Sequence, residues 1–298
     1  MKFYANMHTH STHSDGGFSP RRLAQAAKEE GYGAVVLTDH DTVTGYWELK
    51  EECDKLGLET IFGAEFSSPS DMLAEFTEQA ATFHIVGYHF DPEYPPMKQY
   101  LEDMSIRETD QTRVLFERGV RHGKIKGISW DEVLEFNQGI TWLCNDHLFR
   151  AMLHKGVITR ADRGWFFTEL FGVHRYEVPP AREFKQEYEI IQLIRDAGGM
   201  AILAHPYNQL QYVEPLMEMG LEGIEVWSNG QMKRGQVEDA LKLALEKNLY
   251  ISGGSDHNGY CSGYYGENPL ESKYYAPYLT FGTTKAYFDE IKNRQLNR

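Results

Sequence analysis

The stretch FYANMHTHSTHSD, residues 3–15, decides how the chain is read. A short apolar run ends in His8, His10, His13 and Asp15. Histidine is scarce and rarely clusters, so a solvated polar loop is a poor account of three imidazoles and a carboxylate in this space. His8 and His10 lie two apart, and residues two apart on a strand face the same side. Such a pair can share one ion.

Six more short β-rich runs follow: AVVLT (34–38), ETIFGAE (59–65), TFHIVGY (82–88), MAILA (200–204), GIEVW (223–227) and LYISG (249–253). Most are short apolar runs and not clean alternations, as expected for strands buried on both faces. Helical segments separate several of them. SPRRLAQAAKEEGYG (19–33) has Ser19 to cap, Pro20 at the first helical position and Gly31 to stop. TGYWELKEECDKLG and KRGQVEDALKLALEKN read alike. This alternation predicts an α/β fold around a wound parallel sheet, open or closed into a barrel. Between residues 97 and 182 the alternation gives way to successive helical stretches. The expected organisation is therefore a core of residues 1–96 and 183–298 with a helical insertion at 97–182. GWFFTELFG (164–172) reads as the insertion's own core, and the Gly- and Tyr-rich segment 260–277 as an ordered loop.

Composition narrows the function. The chain has 298 residues, 41% hydrophobic and 25% charged, which suits a globular protein with a full core. No apolar run is long enough to span a bilayer, and residues 1–10 do not read as a secretion signal. Cys53, Cys144 and Cys261 form no CxxC pair, which suits a reducing cytoplasm. A formal net charge of −14 disfavours long polyanions such as DNA. It leaves room for a small phosphorylated substrate drawn in by local cations.

The unusual polar residues recur at or near strand ends. Asp39, His40 and Asp41 follow the second run, Glu65 ends the third, and His84 lies in the fourth. His205 ends the fifth, and Asp256 and His257 follow the seventh. In a parallel barrel these strand ends meet at one mouth. Imidazoles with carboxylates, and no thiolate set, suit Mn, Zn or Fe. The ligands exceed the needs of one ion, so a cluster of about two or three divalent ions is expected. Asp39 and Asp41 are candidates to orient ligand imidazoles. His89 is read as structural beside His84, His13 as a substrate-side or surface residue, and His122, His154 and His174 as surface or packing residues.

The motifs MHTHSTHSDG, LTDHDT, GAEFS, HIVGYHFD, AILAHP and GGSDH resemble those of the PHP (polymerase and histidinol phosphatase) family, in the family's order. The resemblance is greatest to the branch acting on nucleotides and short oligonucleotides, through ISWDEVLE, DHLFRAMLHKGVI and IRDAGGMAILAHP. It implies a metal-dependent phosphoesterase on a distorted seven-stranded β/α barrel with a helical insertion over the active site. It also implies three metal sites: His8, His10, Glu65 and Asp256 at the first; Asp15 and His40 at the second; Glu65, His84 and His205 at the third. The family pattern ends in Asp-x-His. Here Asp256-His257-Asn258 leaves His257, Asn258 or a looser second site as alternatives. By the same resemblance His147 is a candidate to contact the phosphate or leaving group. Cys144 stands where the branch has a phosphate-binding arginine, and Arg150, Arg107 or Arg113 are the candidate substitutes.

Rival readings are a histidinol-phosphate phosphatase, a metal-dependent amidohydrolase, a metal-binding module without catalysis, and a polymerase accessory acting in trans. The helical insertion disfavours the first. The lack of a lysine at any candidate strand end disfavours the second.

Overall fold

Each of the seven apolar runs carries a strand. The computed structural model describes residues 3–73, 82–170, 182–228, 235–256 and 281–294. The strands are β1 (Ala5–Asn6), β2 (Ala34–Val35), β3 (Gly63–Pro69), β4 (Thr82–Tyr88), β5 (Met200–Leu203), β6 (Gly223–Glu225) and β7 (Tyr250–Ser252). The described helices are α1 (Pro20–Glu30), α2 (Tyr46–Leu56), α3 (Pro95–Arg121), α4 (Trp130–Phe136), α5 (Asn145–Lys155), α6 (Glu187–Asp196), α7 (Val213–Glu218), α8 (Val237–Glu246) and α9 (Lys285–Lys292). This is an α/β fold. Helix α1 forms as its sequence dictates. The Ser19 side chain accepts from Arg22 N–H, Pro20 opens the helix, and Gly31 closes it at φ 87°, where a side chain would be strained.

β1 pairs with β2 in parallel, and β3 to β7 form a five-stranded sheet in chain order. The sheet is not wholly parallel, as the strand–helix alternation had suggested. β4 runs antiparallel to both β3 and β5, while β5, β6 and β7 are parallel. The cause is the β3–β4 connection. Only twelve residues separate Pro69 from Thr82, about the minimum for a parallel crossover and ample for an antiparallel return. β3 also starts later than the run ETIFGAE implies, so Glu65 lies within the strand and not at its end.

The strands are buried on both faces, and alternate residues join two apolar clusters. Met7, Val36, Val86, Tyr88, Met200 and Ile202 share one. Val35, Phe66, Phe83, Ile85, Leu203 and Ile224 join the helices in the other. This is the period of two expected of a strand. Glu65 lies between Ala64 and Phe66 of the helix-side cluster, so it points to the opposite face, with Val86 as its cross-strand partner. His84 shares the parity of Val86 and Tyr88, and Glu225 follows Ile224. The chemistry therefore sits on the same face as the inner apolar cluster. Helices α3, α4 and α5 have a separate cluster, built on Leu115, Val133, Leu148, Phe149 and Phe166.

Two glycines bring backbones together beside this face. A Cβ at Gly254 would lie 2.4 Å from His8 N and Cβ. A Cβ at Gly16 would meet the His10 carbonyl at 2.4 Å. Gly254→Ala is expected to destabilise the fold by about 1–3 kcal/mol through overpacking. Gly164→Ala, where a Cβ meets nothing within 4 Å, serves as the control. Urea unfolding of both variants tests this, and equal midpoints would refute it.

Candidate metal centre

Glu65 is fully buried, and five imidazole nitrogens surround its carboxylate. His84 Nδ1 and His205 Nε2 lie 3.0 and 3.1 Å from Oε1. His40 Nδ1, His10 Nε2 and His8 Nε2 lie 3.1, 3.2 and 3.3 Å from Oε2. Asp256 Oδ1 is 3.2 Å from His10 Nε2 and 3.6 Å from His8 Nε2. Asp15 Oδ1 is 3.8 Å from His10 Nδ1. Strand order explains the convergence: β3 and β4 bring Glu65 and His84 as diagonal neighbours on one face. The segments after β1, β2, β5 and β7 deliver the rest.

Among the described residues three donor groups emerge: His8, His10, Glu65 and Asp256; His10, Asp15 and His40; and His40, Glu65 and His84. The first group tests whether these residues fit a cation. His8 Nε2 and His10 Nε2 are 3.1 Å apart. The other close approaches in the group lie between 3.2 and 3.6 Å. Ligand bonds of about 2.0–2.2 Å in a tetrahedron require edges of about 3.3–3.6 Å. Glu65 Oε2 has three imidazole nitrogens within reach and is aligned for a hydrogen bond with none of them. Donor atoms aimed at a common point, and not at one another, fit a cation.

The charges agree. Burial raises the Glu65 pKa, but the imidazoles, His8 first, hold its carboxyl well below the usual range. Burial also raises Asp256, and His205, His10 and His8 override it to hold the carboxyl low. Burial lowers His10, yet its close contacts with the Asp256 and Glu65 carboxylates and the charge of Asp15 carry it up to about 10. His8 and His205 are raised against burial in the same way. His40 goes the other way, pulled by burial to about 4. Positive charge is thus favoured on His8, His10 and His205 beside the two carboxylates.

The surroundings are built for this arrangement. Asp41, His205 and Asp256 have φ of 49°, 24° and 49°, a region that non-glycine residues seldom adopt. His8, His10, Glu65 and His205 form the buried floor, while Asp15, His84 and Asp256 keep about three-tenths of their side chains exposed. Those three mark the face that a substrate can reach. Trp142 stacks on His40, with ring centroids 6.1 Å apart.

Sequence reasoning missed Glu225. This buried carboxylate takes a hydrogen bond from His8 Nδ1 at 2.8 Å and from the His205 backbone N–H at 2.7 Å. It fixes His8 with its proton on Nδ1 and leaves Nε2 as the ligand atom. The available signal was an acid in the middle of the buried run GIEVW. The orienting role expected of Asp39 is filled differently: it accepts from Ser11 N–H and from the Ser11 and Ser14 hydroxyls, pinning the loop that carries His10. Asp41 donates its backbone N–H to the Glu65 carbonyl.

His147 also differs from the expectation that it meets phosphate. Its Nδ1 accepts from Cys144 N–H at 3.0 Å, and its Nε2–H donates to the Thr12 carbonyl at 2.9 Å. Both ring nitrogens are engaged, and burial holds its pKa well below 6.5. His147 ties α5 to the 11–14 loop. Arg150 donates to the Gly16 carbonyl at 3.0 Å and to Asp146 O, while its Nη2 is buried without a hydrogen bond. Arg107 lies over the Phe184 ring and donates to Arg182 O. Arg113 pairs with Glu117 at the surface. His89 donates its Nε2–H to Ile291 O near the end of α9, and His13 meets the Thr44 hydroxyl. His257, His174 and the 260–277 loop lie outside the described residues.

Two outcomes are expected. Glu225→Gln should weaken Mn²⁺ or Zn²⁺ binding by about 10- to 100-fold, measured against a competing chelating dye; unchanged affinity would refute the role. The second concerns pH. A histidine whose folded pKa is raised adds stability below its unfolded pKa and loses it as pH climbs through the folded value. The chelated protein should therefore melt at lower temperature as pH rises from about 6.5 toward 10, the value to which His10 is raised. The metal-loaded protein should not, because metal replaces the protons. Parallel melting curves for the two forms would contradict this.

With this geometry in view, comparison with known proteins is informative. Residues 6–150 match the PHP domain. A 5'-3' exoribonuclease of Haemophilus influenzae is 28% identical over 263 residues, covering 86% of this chain and 90% of its own. A phosphoribosyl 1,2-cyclic phosphate 1,2-diphosphodiesterase of Eggerthella lenta is 26% identical, covering 85% and 94%. The solved structure of a candidate metal-dependent phosphoesterase of Bifidobacterium adolescentis shares the fold, with a TM-score of 0.72 at 24% identity, covering 96% of this chain and 94% of that one. Motif order, sequence relatives and fold all agree with the PHP domain match over residues 6–150.

Proposed function

We propose that the chain is a metal-dependent phosphoesterase that hydrolyses a small phosphate ester, a nucleotide or short oligonucleotide. The observation that carries this reading is the buried Glu65 carboxylate with five imidazole nitrogens within 3.3 Å, flanked by Asp15 and Asp256. Divalent cations bound to such a donor set supply hydroxide near neutral pH and positive charge for phosphoryl oxygens. The chain's own residues do the rest. Glu225 sets the tautomer of His8. Asp15, His84 and Asp256 present the accessible side to the phosphate. Trp142 covers His40 and keeps bulk water from that edge. Arg150 holds the loop at Gly16 and is the proposed side-chain cation for the substrate. His8, His10, Asp15, His40, Glu65, His84, His205, Asp256 and His257 are the proposed ligands, for about two or three ions of Mn, Zn or Fe.

The same reading makes the seven strands one closed, distorted barrel. Its support is the pair of bonds from Met7 N–H to Gly253 O and from Asp256 N–H to His8 O, which join the β1 and β7 edges. A second pair, between Glu65 and the Asp39–Asp41 segment, joins the β2 and β3 edges. Residues 97–182 act as a helical layer over the metal centre, supported by the His147–Thr12 and Arg150–Gly16 bonds. No helix among the described residues is long and apolar enough to cross a membrane. Cys53 and Cys144 are buried free thiols, consistent with a cytoplasmic protein.

The relatives named above act on RNA and on a cyclic sugar phosphate, which favours phosphate esters over C–N bonds. The test is elemental analysis of protein purified without chelator, paired with phosphate release from a nucleoside 3',5'-bisphosphate, AMP, a 5'-phosphorylated dinucleotide and histidinol phosphate, each with Mn²⁺. Bound metal and turnover of a nucleotide substrate are expected. Metal without turnover of any substrate would overturn the catalytic reading and leave a binding module.

A further inference from the structure

A cavity of about 620 Å³ lies between α3 and the 42–44 segment, within the range of about 300–1,000 Å³ usual for ligand pockets. Its walls are mainly apolar, with Leu101, Ser105 and Ile106 on the helix side and Val43 opposite. The cavity adjoins the metal centre through three walls. Thr42 is two residues beyond His40. Thr141 lines the cavity, and its neighbour Trp142 stacks on His40. Thr44 lines it too and holds His13 Nδ1 at 2.7 Å. The Thr141 wall is fixed to α3: the Thr109 hydroxyl donates to Thr141 O at 3.0 Å and accepts from Leu143 N–H at 3.1 Å.

The charge pattern decides what this space accepts. Among the described residues that line it there is no lysine, arginine or histidine, and two of them, Glu102 and Asp110, are carboxylates. A phosphate is repelled there. An uncharged, flat ring finds apolar walls, and its exocyclic amine finds acceptors in the carboxylates and hydroxyls. The polar, cation-ready part of the site is on one side of the Thr42, Thr141 and Trp142 boundary, and the neutral part on the other. A nucleotide has the same division into a charged end and a neutral ring.

We propose that this cavity is the nucleobase subsite, which seats the ring of a nucleotide while its phosphate lies at the metal centre. The inference rests on the phosphoesterase reading and adds to it: the base, and not a second phosphate, is what α3 recognises.

The test separates the two readings. Adenosine, which has no phosphate to release, is titrated into the full-length protein by calorimetry. In parallel, kcat/KM is measured for AMP and for ribose 5-phosphate, which keeps the sugar phosphate and lacks the base. Wild type should bind adenosine and prefer AMP. Ser105→Phe, which fills the cavity from the helix side, should weaken adenosine binding and lower the AMP to ribose 5-phosphate ratio by about tenfold or more, the scale of one lost aromatic-sized contact. Ile106→Ser is the second variant. Ile106 is 42% exposed, so its replacement tests the wall without threatening the core, and a drop in the same ratio is expected. Absence of adenosine binding to wild type, or an unchanged ratio in both variants, overturns the subsite. Adenosine binding that is lost in Ser105→Phe, with no phosphate released from either ester, would keep the subsite and sink the phosphoesterase reading.

Discussion

The Glu65 carboxylate is the constraint on which the site depends. An ionised carboxylate without solvent contact is very costly unless its charge is matched and its lone pairs are met. Here that compensation comes from at least four separate segments of chain. His8 and His10 follow β1, His40 follows β2, His84 lies in β4 and His205 follows β5. Removing any one of these segments leaves a buried charge partly exposed to an apolar interior. Function and fold are therefore coupled at this point: the cations that the site is shaped for also relieve the electrostatic cost of closing it.

The inner face of the strands shows how the coupling is built. Low in the sheet, that face is apolar, with Met7, Val86, Tyr88 and Ile202 packed together. Higher up, the same parity turns to His84, Glu65 and Glu225. The transition is bridged by Tyr88, whose hydroxyl donates to Met7 O at 2.8 Å and meets Ser252 Oγ at 3.0 Å. A rigid apolar plug beneath a polar rim fixes the ligand atoms without water below them. The strained backbones at Asp41, His205 and Asp256 are tolerated because hydrogen bonds over-determine each one. Asp41 N–H meets Glu65 O, His205 N–H meets Glu225, and Asp256 N–H meets His8 O.

Much of this was legible in the sequence, and the exceptions share a cause. The seven strands and the residues that gather around Glu65 could be read because ligand types recur just where apolar runs end. The direction of β4 could have been read from the short connection before it. Glu225 was hidden because a single acid in an apolar run reads as an edge or turn charge until its partners are known. Those partners, His8 and the His205 amide, are 217 and 20 residues away. The contacts of His147 were hidden for the same reason. Its residue type suggested chemistry, and only the positions of Thr12 O and Cys144 N–H reveal a clamp. Sequence pattern reports local period and residue type, whereas a hydrogen-bond partner is a long-range fact.

The His147 clamp also bears on Cys144, which stands where the family resemblance implies an arginine. Cys144 sits at the N-cap of α5, with Sγ 3.3 Å from His147 Nδ1, and burial pushes its thiol pKa well above the usual value. A neutral thiol costs little to bury beside a neutral imidazole, whereas an arginine there would bring a charge into a space closed to water. Cys144 therefore contributes to a neutral joint between α5 and the 11–16 loop. That joint holds His10 and Asp15 from the helical side, as Asp39 holds the same loop from the strand side. On the proposed function, attraction for an anionic substrate would fall to cations held around Glu65 and to Arg150. This is consistent with a chain whose formal charge is −14 and whose neighbouring cavity has no basic residue among the described residues of its walls.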